Sequence, residues 1–105
     1  MNQLVQASQL VAELKLAMQK ESIWLDTPPS AEAFASKEPF CIDTMTFAQW
    51  LQFVFVERMQ ALIDAKATLP TNASITPLAE EYFKLNGIKA PQVIETLSQL
   101  DRLMS

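Results

Sequence analysis

The residues of this chain that could carry chemistry are few, and their types narrow the possibilities sharply. There is no histidine, so the most common general base and the most common nitrogen ligand for a transition metal are both missing. Serine–histidine and cysteine–histidine catalysis are excluded within the chain. Cys41 is the only cysteine, which rules out an intrachain disulfide and a cysteine-rich metal knuckle. Flanked by Phe40 and Ile42, it has the surroundings of a buried, inert thiol. Gly87 is the only glycine, so neither a phosphate-cradling loop nor a dinucleotide fingerprint can form.

Carboxylates remain. Asp43, Glu57, Glu80 and Glu81 lie near the most apolar segments, where a paired acid and base would be placed. Each also has an ordinary role. Asp43 fits a local turn or cap acceptor, Glu57 can pair with Arg58, and Glu80 and Glu81 suit the positive end of a helix. No carboxylate spacing suggests a metal cage. The reading is therefore non-enzymatic, with no cofactor and no metal.

The aromatic residues Trp24, Phe34, Phe40, Phe47, Trp50, Phe53, Phe55, Tyr82 and Phe83 could stack nucleobases, but such platforms come with a basic groove. The formal charge is −4 and the eight Lys and Arg residues are scattered. That distribution disfavours direct nucleic-acid binding and an anionic membrane surface. The rings are expected in a core.

The elements that must position these residues are helical. Over 105 residues, half of them apolar, the expectation is one domain spanning 1–105. Leu4, Ala7, Val11, Leu14 and Met18 fall on one face of a helix from about 3 to about 24, stopped by Pro28-Pro29. Residues 30–36 suit a short helix of about two turns, with Ser30 as N-cap and Phe34 as its anchor. An apolar connector, Pro39 to Met45, then tucks beneath the bundle. Thr46 and Gln49 have the capping-box spacing, which starts the next helix at about 47.

That helix is apolar on almost every side, through Phe47, Trp50, Leu51, Phe53 to Val56, Met59, Leu62 and Ile63. Such a helix is normally surrounded by others. Residues 69–76 read as a loop. Thr76-Pro77 predicts a helix start with threonine as N-cap, and Asn86-Gly87 a left-handed stop. Pro91 opens a last helix, with Val93, Leu97, Leu100 and Met104 on its inner face. The predicted fold is all-α, a compact bundle of four main helices plus one short helix in the first connection.

No continuous apolar stretch approaches the roughly 20 residues of a membrane span, and the first ten residues lack the parts of a secretory signal. A cytoplasmic location is expected.

Trp24 with Pro28-Pro29, Pro39-Phe-Cys-Ile-Asp-Thr-Met45, Trp50-Leu-Gln-Phe-Val-Phe-Val-Glu-Arg-Met59, Leu69-Pro70, Pro77-Leu-Ala-Glu-Glu81 and the closing Leu97…Leu100-Asp-Arg-Leu103 occur in the order seen in the YqcC-like family. The chain resembles these small bacterial proteins of unknown function over most of its length. Glu57 stands where some relatives carry proline, which favours a straighter helix here. The resemblance implies an all-helical fold and transfers no catalytic residues. It also implies a contextual link to a tRNA pseudouridine synthase, for which this chain could only be an accessory.

Three functional expectations follow. The first is a protein-interaction module, binding an unidentified partner or itself through an apolar face of the second long helix and the Phe40–Met45 connector. The second is the synthase accessory implied by the resemblance. The third is a ligand pocket or enzyme site between helices, lined by Trp50, Asp43 and Cys41. The candidate residues are Phe40, Cys41, Asp43, Trp50, Glu57 and Arg58.

Overall fold

A computed structural model describes residues 3–35, 45–71 and 74–104. Its helices are α1 (Gln3–Lys20), α2 (Ala31–Phe34), α3 (Phe47–Trp50), a π-helical turn (Leu51–Phe55), α4 (Val56–Asp64), α5 (Thr76–Leu85) and α6 (Pro91–Leu103). The chain is all-α, and no strand occurs among the described residues.

Helix α1 packs on α6 and α4, and α5 packs on α6. Two hydrogen bonds fix the first of these pairs end to end. The Gln3 side-chain amide donates to the Leu103 carbonyl at 2.8 Å, and the Gln92 backbone N–H donates to the Glu21 carboxylate at 2.9 Å. The start of α1 thus meets the end of α6, and the two run antiparallel. The predicted stripe on α1 faces inward, with Ala7, Val11, Leu14 and Met18 buried, and Val93, Leu97, Leu100 and Met104 meet it from α6.

Helix α1 stops at Lys20, earlier than the prolines at 28 and 29 suggest. Ser22 takes a left-handed backbone with φ 63°, its N–H donates to the Gln19 carbonyl, and Ile23 N–H donates to the Met18 carbonyl. This is a Schellman stop, in which the two bonds satisfy carbonyls the helix has left free. The same geometry ends α4 at Lys66 (φ 54°) and α5 at Gly87 (φ 64°). Only the last was signalled by a glycine. Helix α2 is a single turn of four residues, shorter than expected, and Phe34 is 42% exposed, not an anchor.

The capping box at the start of α3 forms as the spacing predicts. Gln49 N–H donates to Thr46 Oγ1 at 3.1 Å, and Thr46 N–H donates to Gln49 Oε1 at 2.8 Å. The expected straight run beyond it is interrupted, because the Val56 N–H reaches back to the Leu51 carbonyl, five residues away. In a regular α-helix residues five apart sit roughly 140° from one another, and the π turn brings them into line. The apolar seam therefore shifts by one residue within the helix. Leu51, Val54, Phe55, Val56 and Met59 are all buried as a result, which accounts for a segment apolar around so much of its circumference.

Candidate functional site

Trp50, one of the six candidate residues, is buried, and its ring centroid lies 5.9 Å from that of Phe47 and 5.7 Å from that of Phe55. Phe47 also meets Tyr82 at 5.7 Å and Phe83 at 6.4 Å, the latter edge-on. Tilted and edge-on rings at these separations add to simple burial. The aromatic chain from Phe55 through Trp50 and Phe47 to Tyr82 and Phe83 is thus a weld between α3 and α5. Glu57 and Arg58 are exposed on α4, and among the described residues they form no ion pair with one another. Phe40, Cys41 and Asp43 lie outside the described residues, as does most of the apolar connector. The pocket expected between Trp50, Asp43 and Cys41 therefore has only Trp50 placed.

Met45, the last residue of the connector, is described and buried. With Thr46 and Phe47 it forms one wall of a groove of about 540 Å³, whose other wall is the outer side of α5, through Leu78, Tyr82 and Leu85, with Glu81 at the rim. Leu78 is 41% exposed and Leu85 76% exposed. Leu78, Tyr82 and Leu85 follow the three- and four-residue spacing of a helical stripe, distinct from the inward stripe of Ala79 and Phe83. Helix α5 is consequently apolar on two sides, and one of them faces out. The sequence signal was present in Leu78, Tyr82 and Leu85, but it was weaker than the larger residues of the preceding helix, most of which the π turn places inside. Two further depressions, along α1 and α6, are shallower and lined largely by Gln, Glu and Lys or Arg side chains.

Carboxylates hold α5 and α6 from elsewhere in the chain. Asp101 on α6 accepts from the N–H groups of Ile75 and Thr76, at 3.0 and 2.8 Å, and from Thr76 Oγ1 at 2.7 Å. The expected N-cap, Thr76, is instead the first helical residue and donates to the true cap. Glu21 does the same for α6 through Gln92 and, at 3.4 Å, Val93. Charge at these positions also complements the helix dipole. One buried polar side chain completes the frame: Gln52, 4% exposed within the π turn, is hydrogen-bonded twice to the backbone of Leu25.

This frame of caps and packed rings holds an apolar groove and assembles no reactive cluster among the described residues. The chain belongs to the YqcC-like family DUF446, whose model, described as tRNA pseudouridine synthase C, matches residues 6–103. It is 47% identical over 79 residues to an uncharacterized protein of Haemophilus influenzae, covering 75% of this chain and 74% of that one. It is 29% identical over 92 residues to the uncharacterized protein YqcC of Escherichia coli, covering 88% and 84%. The solution structure of E. coli YqcC superposes with a TM-score of 0.83 at 28% identity, over 99% of this chain and 89% of that one. A third relative, from Pectobacterium carotovorum, is named tRNA pseudouridine synthase C. It is 43% identical over 65 residues, which are 62% of this chain but 17% of that longer protein. No described helix is long and apolar enough to cross a membrane.

Proposed function

We propose that this chain is a non-enzymatic protein-binding module that takes a partner's helix into the groove between Met45–Phe47 and α5. The observation that supports this reading is the pair Leu78 and Leu85, seven residues apart and exposed on either side of Tyr82. Grooves of this kind accept the apolar face of an amphipathic helix through anchors at matching spacing. The capping box at Thr46 and the ring contacts of Phe47 make the groove's floor rigid, so little ordering is needed on binding. The test is to replace Leu78 and Leu85 with lysine and to measure partner capture alongside thermal stability. Lost capture at unchanged stability is expected. Retained capture would move the binding face elsewhere, with exposed Glu57 and Arg58 the next positions to change.

A second reading makes the partner a tRNA pseudouridine synthase. It is favoured by the Pectobacterium protein of that name, of which the region similar to this chain is a minor part. A module carried within a longer chain is often able to serve the same activity as a separate subunit. Titrating this chain into the purified synthase of its own species tests it: a one-to-one complex, lost on Leu85→Lys, is the supporting result, and no heat of binding would remove it.

A further inference from the structure

We infer that the occupant of the α5 groove is α5 of a second copy of this chain, docked antiparallel about a two-fold axis; this rests on the groove being a docking face. The pattern of α5 is self-complementary in that arrangement and in no other simple one. With the axis passing between Glu81 and Tyr82, Leu78 of one copy lies opposite Leu85 of the other, and each exposed Leu85 enters the groove floored by Met45 and Phe47. On a helix advancing about 100° per residue, Glu81 and Lys84 lie along one flank of the Leu78–Tyr82–Leu85 stripe. In an antiparallel pair like flanks meet. Glu81 then comes within about half a turn of Lys84 of the second copy, twice over by symmetry. A parallel pair would set that flank against Tyr82 and Asn86 and leave both charges unanswered. Glu81 and Lys84 are exposed in the single chain, so both are free to form these pairs.

A single helix-on-helix contact is smaller than a standard interface, so the dimer is weak, with a Kd on the order of micromolar. Sedimentation equilibrium from micromolar to millimolar concentration tests it, on the full chain and on the variants Glu81→Lys and Lys84→Glu. The unaltered chain is expected to show a reversible monomer–dimer equilibrium. Each single variant should weaken it about tenfold, because both symmetric pairs become repulsive. An equimolar mixture of the two should recover it, since each charge then faces its opposite. A monomer throughout the range, or variants that fail to complement each other, would overturn the inference. If the chain is monomeric but Leu85→Lys abolishes capture of another protein, the dimer falls and the docking face stands. If Leu85→Lys alters neither, both fall together.

Discussion

The side chain of Gln52 forms a closed pair of hydrogen bonds with the backbone of Leu25, accepting from its N–H and donating to its C=O, each at 2.8 Å. An extended segment is thereby held as a neighbouring strand would hold it, by a residue 27 positions away. Gln52 can reach inward because it sits in the π turn, where the helix register is displaced.

Replacing Gln52 with leucine keeps the bulk and removes both bonds, leaving two part-buried backbone groups without their partner. The expected loss is about 2–3 kcal/mol in urea unfolding. Glutamate should be no rescue, since it can accept from the Leu25 N–H but offers nothing to the carbonyl.

Asp101→Ala removes the acceptor for two backbone N–H groups and one hydroxyl at the start of α5. It should cost about 1–2 kcal/mol, and Asp101→Asn less, because one oxygen remains. The increase in amide exchange should be centred on α5, distinguishing a lost cap from general weakening.

Ser22 and Lys66 occupy left-handed positions that glycine adopts without steric cost. Lys66→Gly should stabilise by about 0.5–1 kcal/mol, the relief at φ 54° being partly offset by the greater freedom of the unfolded chain. Gly87→Ala is the converse case. An added Cβ there meets nothing within 4 Å, so the expected loss of about 1 kcal/mol would come from backbone conformation alone. Thermal melts of the three proteins separate these signs.

Phe47→Leu removes the ring that touches Trp50, Tyr82 and Phe83 together. A loss of about 1–2 kcal/mol is expected, with a change in tryptophan emission as Trp50 loses its neighbour. Leu85→Lys, at a position already mostly in solvent, should stay within about 0.5 kcal/mol of the parent.

Periodicity made the inward faces of α1 and α6 legible, because regular helices obey one angular step and Leu14, Val93, Leu97 and Leu100 all keep it. The capping box was legible because its two residues are three apart. What escaped were features made by distant partners or by departures from regular geometry. Asp101 caps a helix 25 residues earlier, and no local pattern announces that. The π turn leaves no composition of its own, so the seam's one-residue shift looked like apolar excess around Phe53 and Phe55. Leu85 escaped for a different reason: a lone leucine near a helix end is ordinary, and only the placement of Met45 and Phe47 beside it makes a groove.

Gln3 and Leu103 touch, so the two described ends of the bundle leave it side by side. A unit shaped in this way can be spliced into a surface loop of a larger protein with a short linker on either side and little disturbance to its host. It should equally tolerate circular permutation, with residues 3 and 103 bridged by a few glycines and serines and the chain reopened between α4 and α5. Proximity of the ends makes the fold portable, able to travel between life as a separate chain and life as a passenger.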